Sequence, residues 1–154
     1  MHKYRFVELL CIILTVLFVV SSEISVKNVE MSAEQIYSSI DFVAEEALEK
    51  RNNLYIKDKF SLDFSENVDF VYYSSDDVMN VNEILIAVVC DDSVNEIRQS
   101  LESYLAEKYN LFNGYAPEQA ALLDSARIEI ISNLVFFCVN ADADEYFSAV
   151  QQIV

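Results

Sequence analysis

The chain is poor in the residue types on which most enzyme chemistry depends. Its one histidine is His2, at the start of the sequence. Beyond it no imidazole is present to act as a base near neutral pH, to activate a serine or cysteine, or to ligate zinc. The one glycine, Gly114, excludes glycine-rich phosphate loops. There is no tryptophan, and Pro117 is the one proline. Positive charge is also scarce: ten Lys and Arg stand against 26 Asp and Glu, a formal net charge of −16. Such an excess repels nucleic acid, whose binding needs clustered Lys and Arg, so no nucleic-acid partner is expected. It also disfavours anionic lipid surfaces. Acidity of this kind mostly confers solubility, and cationic partners or loosely held divalent ions are its other use.

What is present begins with the first two dozen residues. His2, Lys3 and Arg5 precede an apolar run from Leu9 to Val20, broken only by Thr15, and Val20-Ser21-Ser22-Glu23 forms a small-residue boundary. This is the layout of a secretory leader. Residues 1–22 are expected to be a signal peptide or a signal anchor. A helix from Leu9 to Ser22 would be about 21 Å long, short of the roughly 30 Å of a bilayer core. Length therefore favours cleavage, and a retained transmembrane helix would have to take in Phe6, Val7 and Glu8. Leu10 stands where a small residue must precede a lipidated cysteine, which argues against lipid attachment at Cys11. The domain is expected outside the membrane, secreted or held on its outer face, with the leader as its only membrane contact.

The rest of the chain has room for one domain with a sizeable core, since 53% of all residues are apolar. Residues 23–30 read as a linker and 31–154 as a single domain. Ser32 and Gln35 form a capping box, with Met31 placed to staple onto Ile36. Ile36, Ile40, Val43, Ala44, Ala47 and Leu48 follow at helical spacing, and the helix should fade near Lys50 to Asn53. Leu54 to Tyr73 reads as extended segments, from the alternation of Phe60, Leu62 and Phe64 and of Val68, Phe70 and Tyr72. Ser74 to Asp77 is a turn. Ile84 to Cys90 is apolar on both faces, as in a strand covered on two sides. Ser93 with Glu96 suggests a second capping box, opening a helix with Ile97, Leu101, Tyr104, Leu105 and Tyr109 on its buried stripe. Pro117 suits the first turn of a short helix over Glu118 to Asp124. Arg127 to Ile131 and Leu134 to Val139 are two strands joined at Ser132-Asn133. Asp142 to Val154 is a last helix. The order helix, strands, helix, hairpin, helix predicts an α+β fold, an antiparallel sheet of about four strands with packed helices. Cys90 and Cys138, both in apolar runs, read as buried thiols, with a disulfide between them as the alternative.

Tyr115-Ala116-Pro117-Glu118-Gln119, preceded by the strand Glu83 to Cys90 with Asp91-Asp92 and a long helix, and followed by Ala126-Arg127-Ile128 and the hairpin, resembles the family of domain of unknown function 4358. The likeness spans roughly Ser32 to Phe147. It implies an exported protein of Gram-positive bacteria and an α+β domain, and no activity. The chain departs from the family's pattern in lacking a lipobox and in having Ser132-Asn133 where the family commonly has Gly-Asn.

Tyr115, Glu118 and Gln119 are the candidate binding residues, beside the corner that holds Gly114 and Pro117. The competing reading is that Glu118 complements the helix dipole and Gln119 caps free amides of its own helix. Asn140, Asp142 and Asp144 alternate like the opening of a calcium loop, but Glu145 and Gln151 stand where the loop needs a glycine and an acid. A helix cap explains them better. Asp76-Asp77 and Asp91-Asp92 likewise read as turns and caps. No catalytic residue, metal ligand or cofactor is assigned. The expected function is a non-enzymatic interaction or accessory module of the cell envelope, its partner an envelope protein or a glycan. The alternative is an envelope enzyme that uses acidic residues alone, for example a polysaccharide hydrolase.

Overall fold

The capping box at Ser32 shows how directly some of the chain reads into structure. Gln35 N–H donates to Ser32 Oγ at 3.2 Å and Ser32 N–H donates to Gln35 Oε1 at 2.9 Å, opening α1, Ala33–Ser38. In the computed structural model, residues 28–40, 48–64 and 66–154 are described. The leader, most of the linker, and Val43, Ala44 and Ala47 of the expected apolar stripe lie outside them.

The helix ends at Ser38, with Ser39 as its C-cap, and does not fade near Lys50 to Asn53 as expected; a strand stands at Lys50 instead. Glu49–Lys50, β1, pairs with Ser74 and Tyr73, and Arg51 N–H donates to the Tyr72 carbonyl at 2.8 Å. A larger correction follows. Asn53–Phe60 is a helix, α2, and not an extended segment. Asn52 caps it by accepting from Tyr55 N–H at 3.1 Å, and Ser61 ends it in the left-handed region at φ 58°. Ile56 and Phe60, one turn apart, are its buried residues. The alternation of Phe60, Leu62 and Phe64 arises across a helix end: all three are buried, but only Phe60 is helical.

The strands β2, Val68–Ser74, and β3, Glu83–Val89, are followed by the long helix α3, Val94–Phe112, and the short α4, Pro117–Asp124. The hairpin β4, Arg127–Ile131, and β5, Leu134–Val139, precedes the last helix, α5, Ala143–Ile153. The sheet has five strands in the order β1-β2-β3-β5-β4, every neighbour antiparallel. The fold is α+β as expected, with β1 the added strand.

Every residue of the central strand β3 is buried. Leu85, Ala87 and Val89 face a core built with Ile56 and Phe60 of α2, Ile97, Leu101 and Phe112 of α3, and Ala120 and Leu123 of α4. Ile84, Ile86 and Val88 face a second core with Ala33 and Ile36 of α1 and Tyr146 and Val150 of α5. Helices cover both faces, which is why the strand lacks alternation.

Two smaller expectations also change. Ser93 is helical in backbone and caps nothing with its side chain; the Asp91 carboxylate instead accepts from Ser93 N–H at 2.9 Å. Cys90 lies one residue past β3 and is exposed, while Cys138 is buried, and both are free. Burial pushes the Cys138 thiol up, as do the Glu83 and Asp142 charges. Register explains the missing disulfide. Cys138 pairs with Ile84 at one end of β3, and Cys90 lies six residues further along, about 20 Å away, well beyond bridging distance.

Replacing Leu85 with Ala should lower stability by about 2–5 kcal/mol through lost packing and the cavity left in a two-sided core. Val88→Asp should cost several kcal/mol, on the order of 2–7, by burying an unpaired charge. Urea denaturation of the two variants checks both. A midpoint equal to the wild type's for Leu85→Ala would show that β3 is not the central strand.

Candidate functional site

Glu83 is the first residue of β3 and is 1% exposed. Strand parity puts its side chain on the same face as Leu85, Ala87 and Val89, at the end of the larger core. Four neighbours meet it there. Lys59 from α2 donates to Oε2 at 2.6 Å and Tyr72 from β2 donates to the same oxygen at 2.5 Å. Tyr104 from α3 donates to Oε1 at 2.8 Å, and Lys108, one turn further along α3, stands 3.8 Å from that oxygen. Lys59 also donates to the Tyr72 hydroxyl at 2.5 Å. Its ammonium lies 5.1 to 5.6 Å from the ring centres of Tyr55, Phe60, Tyr72 and Tyr104, within cation–π range.

Burial alone would raise the Glu83 pKa. The charges of Lys59 and Lys108, with the hydrogen bonds from Lys59 and Tyr72, overcome it and hold the carboxyl below its ordinary value. It is a carboxylate at neutral pH. Burial, then the Glu83 charge, raises both tyrosines, so Tyr72 and Tyr104 stay protonated donors. Burial lowers Lys108, and Lys59 adds to the effect, against the attraction of Glu83. Two lysines thus face one carboxylate, a local positive excess inside a strongly acidic protein.

Above this group lies a cleft of about 560 Å³, within the range of small-molecule sites. Lys59, Glu83, Tyr104 and Lys108 line its inner part. Val78 and Met79 from the β2–β3 connection, Leu111 from α3, and Tyr115 form the apolar rim. Six large hydrophobic residues among the described ones are exposed, and four of them are these rim residues. Exposed apolar surface is therefore concentrated at one mouth, the arrangement that marks a binding surface. Asp58, Asp76 and Asp77 add negative charge at the edge. Asp76 is ion-paired with Arg51, whose hydrogen bond holds it below the usual carboxylate range. The Asp77 carboxylate accepts from Met79 N–H at 2.9 Å and shapes the connection as a turn, as its sequence suggested. A hollow of about 590 Å³ beside Cys90 and Asn133 is lined by turn, strand-end and helix-start residues and holds no buried charge.

Of the three candidate residues from the sequence, Tyr115 lines the cleft, its ring stacked on Phe112 at 5.3 Å. Gln119 does not cap its own helix. Its side-chain oxygen accepts from Val81 N–H at 3.0 Å and ties the β2–β3 connection to α4. Glu118 is exposed and outside the cleft. Sequence reasoning missed Lys59, Glu83, Tyr104 and Lys108. One signal pointed to them: Glu83 is a charged residue on the core-facing parity of an otherwise apolar strand.

The calcium-like run is spent on structure. Asn140 accepts from Asp142 N–H at 2.9 Å and donates to Asn82 at 3.0 Å, and Asp144 is ion-paired with Arg127. Asp142 holds the N-cap position without a side-chain cap bond. Among the described residues no group of three or more His, Cys, Asp or Glu is placed to hold a metal ion. None of the described helices is long and apolar enough to cross a membrane.

Glu83→Gln should destabilise the protein by about 3–5 kcal/mol at pH 7, because Lys59 stays buried without its counter-charge. The Glu83 pKa is depressed on folding, so its contribution is present above the unfolded value near 4.5 and is lost as pH falls through the folded value. The stability gap between wild type and Glu83→Gln should therefore be constant from pH 7 to about 5 and close below pH 4.5. Urea titrations of both proteins across that range measure it, and a gap that does not change with pH would contradict an ionised Glu83.

No curated protein and no solved structure matches the chain. One family model does, over residues 39–140, a span that takes in β1 to β5, all five residues of the buried charge group, and Tyr115 to Gln119. With more than half of its length matched, the chain belongs to the family described as Domain of unknown function (DUF4358).

Proposed function

We propose that the protein is a non-enzymatic interaction module of the bacterial cell envelope, exported by residues 1–22, and that the cleft above Glu83 is a binding site. The observation that carries the binding reading is the state of Glu83. A general acid needs a carboxyl whose pKa is raised toward the working pH. Glu83 is held below its ordinary value, with hydrogen bonds on both oxygens. Asp76, the other shifted carboxyl of the cleft, is lowered too. What remains is an apolar mouth over a positively charged inner wall, which suits recognition.

Support for export comes from the leader. Lys3 and Arg5 flank its apolar run on the N-terminal side, and positive residues stay in the cytoplasm, so the domain that follows faces outward. The partner is an envelope protein or a glycan. The competing reading, an acidic-residue hydrolase acting on polysaccharide, would use Asp58 and Asp77, which line the same cleft.

Two measurements test the proposal. Protease added to intact cells should digest the domain, and protection with recovery from the cytosol would refute export. Purified protein incubated with isolated wall polysaccharide should release no reducing ends. Release abolished by Asp58→Asn or Asp77→Asn would establish the enzyme instead.

A further inference from the structure

Lys108 is the one residue of the buried charge group that makes no hydrogen bond within it. Its ammonium carries three donors. Its one counter-ion among the described residues is Glu83 Oε1, at 3.8 Å, beyond hydrogen-bond distance, and that oxygen already accepts from Tyr104 at 2.8 Å. It otherwise lies 5.2 Å from the Tyr104 ring centre. Its side chain is 20% exposed and lines the cleft. Lys59, by contrast, is satisfied within the group by Glu83 and Tyr72.

Resting on the reading of this cleft as a binding site, we infer that it receives a small amphipathic monocarboxylate, whose carboxylate takes the free donors of Lys108 and whose apolar body lies against Met79, Leu111 and Tyr115. Each part of the ligand has a counterpart in the site. The positive excess is one charge, two lysines against Glu83, and one carboxylate balances it. Asp58 and Asp77 at the edge oppose a second negative charge, which selects against a phosphate dianion. The apolar body covers surface that water otherwise wets: Leu111 is 64% exposed, Tyr115 55% and Met79 46%. Burial already lowers Lys108, so an arriving anion restores what desolvation took away.

The test uses the full chain in lipid nanodiscs and four probes that share one body: 4-phenylbutyrate, 4-phenylbutanol, 4-phenylbutylamine and 4-phenylbutyl phosphate. Binding is followed by saturation-transfer NMR against empty nanodiscs. 4-Phenylbutyrate should bind saturably and at least about tenfold more tightly than the alcohol, as a charge-assisted hydrogen bond implies. Lys108→Met should erase that preference while its melting temperature stays within a few degrees of wild type, and Lys108→Arg should retain it. Alcohol and amine binding as tightly as the acid, with Lys108→Met unchanged, would overturn the carboxylate assignment and leave the cleft a binding site. Tighter binding of the phosphate would overturn the selection for a single charge. No saturable binding of any probe, with the protein folded, would overturn both the assignment and the reading of the cleft.

Discussion

An ionised carboxylate buried as deeply as Glu83 costs several kcal/mol of desolvation unless opposite charge and hydrogen bonds surround it. Much of the structure follows from meeting that cost. Lys59 must come from the end of α2, Tyr72 from β2, and Tyr104 with Lys108 from successive turns of α3. Apolar packing tolerates sliding and repacking, because any methyl group fits where another of similar size did. Hydrogen bonds of 2.5 to 2.8 Å to two fixed oxygens do not. Glu83 thus sets how α2 and α3 dock on the sheet, while the hydrophobic residues behind it supply the driving force.

The same division of labour recurs away from Glu83, with neutral amides in place of charges. Gln119 takes the N–H of Val81, and Asn133 takes the N–H of Val29 at 2.7 Å while donating to the Val89 carbonyl at 3.2 Å. Val29 and Val81 lie outside the sheet ladders, so their backbone donors need partners from elsewhere. Asn133 can reach because Ser132 before it adopts the left-handed region at φ 56°, a conformation that glycine takes without strain. That explains in physical terms why a Gly-Asn pair suits this turn and why Ser132 is tolerable but not ideal.

What could be read from the sequence was local or periodic. The Ser32–Gln35 cap, the two-sided strand at β3, the helix starting at Pro117 and the Ser132-Asn133 hairpin each depend on a few neighbouring residues. The misreadings occurred where two local patterns overlap. Phe60, Leu62 and Phe64 mimic a strand because the chain leaves α2 between them, and the Ile56–Phe60 spacing that signals the helix is only one turn long. Ser93 makes no side-chain cap, and the Asp91 carboxylate accepts from the Ser93 N–H from two residues back. β1 is two residues long and holds no pattern to detect. The charge group is a different matter: its members, Tyr72, Tyr104, Lys59 and Lys108, lie 11 to 25 residues from Glu83. No local rule assembles them, although a charged residue on the core face of an apolar strand signals that partners must exist.

The two lysines around Glu83 separate what stability requires from what it does not. One carboxylate needs one counter-charge, and Lys59 supplies it, with hydrogen bonds to Glu83 and Tyr72 and four aromatic rings around its ammonium. Lys108 adds only a 3.8 Å electrostatic contact and loses hydration in doing so. An isolated domain would gain from a neutral residue at that position, since a partly buried ammonium without a hydrogen-bonding partner is a net cost. The cost becomes useful when an anion enters the cleft, because the site is already desolvated and already charged. The rim repeats the logic: Val78, Leu111 and Tyr115 contribute little to the core while exposed, and they gain burial only when something covers them. A positive charge beyond what the fold needs and apolar surface beyond what the core uses meet at one opening, the mouth of the cleft above Glu83.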